Sequence, residues 1–160
     1  MHVFDASSII HAWINYPIDN FPPMWNWFSS QIESGEFSIP RVALEEVSLK
    51  SPECGKWLNN NDINVLQLTN DVLQLAAEIK HLLGIDEDEY HAKGVGENDL
   101  FIIATAKLSN ATLVSDERRQ FRLPDVMSKC KIPAVCDLDE VGVVCIPFIE
   151  LIKGSGAIFS

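Results

Sequence analysis

The spacing of apolar residues changes several times along the chain, and each change marks an element. Residues 2–5 form a short apolar run ended by Asp5, which predicts a strand. The segment ASSIIHAWI, 6–14, reads as helix or turn, with Ser7 or Ser8 able to cap it. Tyr16 to Pro23 holds three prolines and predicts a loop. Apolar groups at 24, 25, 28 and 32 predict a helix over 24–33 that Gly35 stops. A brief strand at Phe37–Ile39 leads to Pro40, which suits the first turn of a helix over 42–50. Pro52 interrupts that helix, and a second short one runs to Leu58. Residues 63–68, INVLQL, are β-like.

The next helix is the most regular. Thr69 or Asn70 can cap it, and Val72, Leu75, Ala76, Ile79 and Leu82 or Leu83 fall on one face before Gly84 ends it. The acidic stretch 86–97 predicts a surface loop. Asn98 can cap the following segment, DLFIIATAKLS, which is apolar nearly all round and predicts a buried helix. ATLVS, 111–115, is a strand, and PDVMSKC, 124–130, a short helix. Ala134–Cys136 and Val141–Ile146 read as two further strands, and FIELIK, 148–153, as the closing helix. The expected organisation is one domain over 1–153 and a loose tail over 154–160.

Strands that alternate with helices predict an α/β fold, a mostly parallel sheet with helices on both faces. Such sheets bind ligands at the carboxyl ends of their strands. Charge adds a constraint. Asp and Glu number 23 against 12 Lys and Arg, a net charge of −11. A polyanion is repelled by such a chain unless bound cations, a local basic patch or a basic partner intervene. The four cysteines show no Cys-x-x-Cys or Cys-His zinc spacing. An acid already at position 5 argues against a signal peptide, and no apolar run reaches the roughly 18 residues of a membrane span. Reduced thiols in the cytoplasm are the expectation.

The acids then gain interest from where they fall. Asp5 ends the first strand, and Asp116 and Glu117 follow the strand ATLVS. If both strands are central and parallel, these groups meet at one sheet edge. Asp99 opens the buried helix, and Glu45 or Glu46 lies on the helix after Pro40. Each alone has an ordinary explanation as a cap, a first-turn acid or a surface residue. Gathered together, they would repel strongly and call for a divalent cation, and all-oxygen ligands favour Mg²⁺ or Mn²⁺ over zinc.

These segments resemble the motifs of the PIN-domain family. VFDASSII is similar to its opening motif, an apolar strand ending in Asp with Ser or Thr two residues on, here Asp5 and Ser7. RVALEEV resembles the helix of the second acid, matched best by Glu46 with Glu45 as fallback. ENDLFIIATA resembles the third motif and marks Asp99. TLVSDE resembles the fourth and marks Ser115 and Glu117, although the family more often has Asp there and Asp116 is an alternative. Residues 129–146 resemble an uncharacterised bacterial PIN-like branch.

The resemblance implies a three-layer α/β/α sandwich and an endoribonuclease dependent on Mg²⁺ or Mn²⁺, of the kind found as the VapC-type toxin of a toxin–antitoxin pair. Cleavage would follow in-line attack of water and leave a 5′-phosphate. Asp5, Glu46, Asp99 and Glu117 would form the catalytic metal site, with Ser7 and Ser115 orienting carboxylates or phosphate oxygens. RNA would be the substrate and an antitoxin protein a partner.

Arg118, Arg119 and Arg122 abut the fourth motif and could grip phosphates or pair with nearby acids. The aromatics between Trp13 and Phe28 suit a core, a homodimer interface or base stacking. The four dispersed histidines show no ligand spacing. A catalytically inactive PIN-like module that binds RNA or protein is the rival reading. A phosphoacceptor receiver domain fits less well, because it would carry paired acids at its first strand and a Lys after a late one.

Overall fold

The computed structural model describes residues 1–160. Its elements in chain order are β1 (His2–Phe4), α1 (Ala6–Asn15), α2 (Pro22–Glu33), β2 (Phe37–Pro40), α3 (Arg41–Lys50), α4 (Pro52–Asn60), β3 (Asn64–Leu66), α5 (Asn70–Leu82), α6 (Glu97–Leu108), β4 (Thr112–Val114), α7 (Ile132–Cys136), β5 (Cys145–Ile146) and α8 (Phe148–Ser155). The five strands form one sheet in the order β3-β2-β1-β4-β5, and every neighbouring pair is parallel. Consecutive residues of a strand face opposite sides, and Val3 and Phe4 are both fully buried. Both faces of the sheet are therefore covered, as a parallel sheet requires. The α/β sandwich predicted by the alternation is present.

The strand order places the site. From central β1 the chain builds β2 and β3 outward on one side, then crosses to the other for β4 and β5. The switch point lies between β1 and β4, where an open α/β sheet forms its ligand crevice. Phe4 pairs with Val114 in register, so Asp5 and Ser115 leave the sheet side by side. The Asp5 amide donates to the Val114 carbonyl at 2.9 Å and the Ser115 amide to Ile146 at 2.9 Å.

Aromatic rings anchor the core beneath this edge. Phe28 stands 5.3 Å from Phe4 and 4.8 Å from Phe37 between ring centroids, and Trp25 lies 5.0 Å from Trp57. Trp25 and Phe28 are buried, while Trp13, Tyr16 and Trp27 pack against the core at its margin. Of the roles expected of this segment, these rings fill that of core.

Several local expectations are corrected. Ala134–Cys136 is not a strand but part of α7, because Pro133 in the first turn presets helical φ and cannot donate to a ladder. The strand expected over 141–146 shrinks to Cys145–Ile146, after a turn at Gly142 with φ 61°. The short helix expected at 124–130 is only a 3₁₀ turn at Met127–Lys129. Pro22 and Pro23 open α2 rather than ending a loop, and Pro40 precedes α3 as the last residue of β2. Gly96, not Asn98, stands before α6. Neither Ser7 nor Ser8 caps α1; the Ser8 hydroxyl donates instead to the carbonyls of Asp5 and Val114. The boundary expected at residue 153 falls inside α8, and beyond that helix Phe159 lies against Trp27 with centroids 5.5 Å apart. No helix is long and apolar enough to cross a membrane.

Phe28 is fully buried at the meeting of β1, β2 and α4, so its truncation leaves a cavity that the rigid sheet cannot collapse. Phe28→Ala is expected to lower unfolding free energy by about 3–5 kcal/mol in urea titration.

Candidate functional site

At the switch point the chain forms a cleft of about 340 Å³. Asp5, Glu46, Asp99, Asp116 and Glu117 line it, together with Ser7, Ile10, His11 and Lys50. Four separate segments deliver the acids. Asp5 follows β1, Glu46 lies in the middle of α3, Asp99 sits in the first turn of α6, and Asp116 and Glu117 follow β4.

Asp5 is the hub. It occupies the cap position of α1, yet its side chain makes no capping bond. Its Oδ2 instead accepts hydrogen bonds from the Ser7 hydroxyl at 2.6 Å and the Ser115 hydroxyl at 2.9 Å. The same two serines hold the chain after β4, because the Asp116 amide donates to Ser7 Oγ at 3.1 Å and the Glu117 amide to Ser115 Oγ at 3.2 Å. Asp99 is fixed by accepting the Gly96 N–H at 2.9 Å, which also satisfies a free donor at the start of α6. Glu46 pairs with Lys50 one helical turn on, at 2.6 Å.

Electrostatics reflect this crowding. Burial pushes the Asp5 carboxyl from its usual 3.8 up to about 6; the Ser7 and Ser115 hydroxyls oppose the rise, and the charges of Asp99 and Glu117 add to it. Burial also raises Asp99, against the Gly96 N–H and with help from Glu117 and Glu46. Asp5, Asp99, Glu46 and Glu117 are thus electrically linked. Asp116 is spoken for differently. Its Oδ1 accepts the Phe148 N–H at the start of α8 at 2.8 Å, and its Oδ2 lies 3.4 Å from His11 Nδ1. The alternatives therefore separate, with Glu117 facing the buried pair and Asp116 joined to α8. Glu45 points to solvent and is not part of the cleft.

The donor set is all oxygen, and its two buried members, Asp5 and Asp99, have no cation within ion-pair distance, which suits a hard divalent cation. No three His, Cys, Asp or Glu side chains stand at ligand geometry. An ion such as Mg²⁺ keeps several waters and uses only one or two carboxylates, so an open set fits it better than it would fit zinc. Arg118 and Arg119 line an adjoining cleft rather than that of the acids, with the Arg119 guanidinium donating to the Cys145 carbonyl. Sequence reasoning missed His11, Lys50 and Lys131. The first two were legible, since His11 is four residues beyond Ser7 and Lys50 four beyond Glu46 on their helices. Lys131, whose Nζ lies 3.9 Å from Glu117 Oε2, arrives through a loop and carries no such signal.

The model of a family described as a domain of unknown function, DUF4411, matches residues 2–159. The chain belongs to that family. No protein of curated function matches this DUF4411 chain. Solved structures share its fold. It is similar to VapBC2 from Rickettsia felis, a structure bound to a DNA fragment from their promoter, at 16% identity over 81% of this chain and 96% of that one, with a TM-score of 0.52. PAE2754 from Pyrobaculum aerophilum matches at 13% identity over 96% and 94% with a TM-score of 0.55. FitAcB from Neisseria gonorrhoeae matches at 15% identity over 91% and 96% with a TM-score of 0.50. At such identities the likeness is one of architecture, and the DUF4411 chain has the PIN-like fold.

Because Asp5 holds its proton more tightly when folded, its contribution to stability is complete below about pH 4 and lost as pH rises through about 6. In chelator, Asp5→Asn is expected to be more stable than the wild type at pH 8 by roughly 1–3 kcal/mol, a gain that disappears near pH 4. Thermal unfolding across that pH range measures it.

Proposed function

We propose that this chain is a Mg²⁺- or Mn²⁺-dependent endoribonuclease and the toxin of a toxin–antitoxin pair. One observation carries the reading: a buried carboxylate at the switch point is surrounded by acids from three other segments, with no cation of the chain's own compensating the pair Asp5 and Asp99 at hydrogen-bond range. The fold shared with VapBC2 and FitAcB supports the toxin part.

Asp5, Asp99, Glu46 and Glu117 would hold the ion. When bound it would supply positive charge for the phosphodiester and a lower pKa for water. The chain's own groups do the rest. Ser7 and Ser115 hold Asp5 in one orientation, and Gly96 N–H does the same for Asp99. Lys131 steadies Glu117, whose longer side chain would otherwise sample more positions than Asp. Lys50 lies at the mouth of the cleft, where an ammonium group can meet an incoming phosphate.

The Lys50–Glu46 pair also favours a second reading. With Glu46 bonded to Lys50 and no closed ligand set, the chain could be a PIN-like module that binds RNA or protein without cutting it.

Incubation of structured and unstructured RNA with Mn²⁺ or EDTA distinguishes the two. The nuclease cuts only with the metal, and Asp99→Asn lowers the rate by roughly 100-fold or more, since even residues that merely orient metal ligands cost 10–100-fold. Mn²⁺ should also raise the melting temperature of the wild type and not of Asp5→Asn. No cleavage of any RNA, with no metal-dependent stabilisation, leaves the binding module.

A further inference from the structure

Beside the acid cleft lies a second, of about 650 Å³. Five of its eight lining residues are cations, Lys93, Arg118, Arg119, Arg122 and Lys131, and none is acidic. The whole chain has only 12 Lys and Arg and a net charge of −11, so nearly half of its basic residues gather at this one place. A surface charged only for solubility intersperses its signs.

The cleft is built rather than draped. The side chain of Gln120 clamps one wall to another: its Nε2 donates to the Lys129 carbonyl at 3.1 Å, and its Oε1 accepts the Lys131 N–H at 2.8 Å. The segment carrying Lys93 is pinned to the same strip by the Val95 N–H, which donates to Cys130 at 2.9 Å. Gly94 makes that approach necessary to its own identity, because a Cβ there would lie 1.9 Å from the Ser128 carbonyl oxygen. Arg119 is tied to the Cys145 carbonyl and keeps further N–H donors for the cleft. Lys131 links the two clefts, lining this one while its Nζ stands 3.9 Å from Glu117, a wall residue of the other.

Phe121 sits among these cations with its side chain 100% exposed. It contributes nothing to the core, and a bare phenyl ring flanked by arginines is what unpaired bases stack upon. In a duplex the base faces are already stacked, so the ring would find no partner. A protein partner fits less well, since docking surfaces have an apolar centre and only two of the eight lining residues are hydrophobic.

We propose that this cleft binds a single-stranded stretch of nucleic acid. Phe121 stacks on an unpaired base; Lys93, Arg118, Arg122 and Lys131 hold the neighbouring phosphates; and the strand continues past Lys131 into the acid cleft. The last clause rests on the nuclease reading, whereas the binding does not.

Fluorescence anisotropy in EDTA tests the binding without cleavage, using the full chain and three probes: a short uridine-rich oligoribonucleotide, the same strand as a duplex, and poly-glutamate. The single strand should bind tighter than the duplex. Phe121→Ala should weaken it by roughly ten-fold or more, with Phe121→Trp restoring it, as one base–aromatic stack provides. The pair Arg118→Gln and Arg122→Gln should reduce the slope of log affinity against log salt by about 1.4, or 0.7 per phosphate contact. Equal affinity for strand and duplex, or no effect of Phe121→Ala, overturns the proposal. So does tighter binding of poly-glutamate than of RNA, which would make this a protein-docking surface. Phe121-dependent binding by a protein that never cuts RNA would sink the nuclease reading and leave this one standing; cutting without Phe121-dependent binding would do the reverse.

Discussion

The pairing of β1 with β4 is the constraint on which the rest of the molecule depends. It aligns Phe4 with Val114 and so brings Asp5 and Ser115 out of the sheet together. From there Ser7 and Ser115 each do two things, donating to Asp5 and accepting the amides of Asp116 and Glu117. A slip of one residue would turn Asp5 toward the opposite face and break all four bonds. The apolar residues on both sides of these strands prevent it, because the same slip would exchange every buried side chain of β1 and β4 for its neighbour.

The fold also sorts its charge. An acidic chain gathers five of its 23 acids at the switch point, where they disfavour one another and are partly withdrawn from water. It places a large share of its cations immediately beside them, joined through Lys131 and Glu117. Neither arrangement serves stability. Buried carboxylates that raise one another's pKa values weaken the fold at neutral pH, and five cations around one cleft repel. Functional sites are where proteins tolerate such conflicts.

Much of this was legible in the chain. The central strands read clearly because short apolar runs end abruptly at Asp5 and at Ser115. The all-apolar helix beginning near Asp99 could only be buried, and its first acid had to face an opening. Sequence reading preferred Glu46 and kept Glu45 as the fallback; burial of Ala43 and Val47 on α3 sets Glu46 in the wall of the cleft and leaves Glu45 exposed. It failed where tertiary approach outweighs local preference. Ile-Pro-Ala-Val-Cys has strand-like composition, yet Pro133 and the docking of that segment on α6 make it helical. The meeting of residues 93–95, 118–122 and 128–131 rests on Gly94 and Gln120, and no periodicity announces such contacts.

The bond between Ser115 and Asp5 spans 110 residues. During synthesis the first strand waits beside an empty position until the fourth has left the ribosome, and every parallel partner of β1 must be reached through a crossover. Long-range pairing of this kind forms late. The acid cluster therefore has no existence in a growing chain until the fourth strand has emerged and paired with the first, and whatever chemistry it carries is withheld until then.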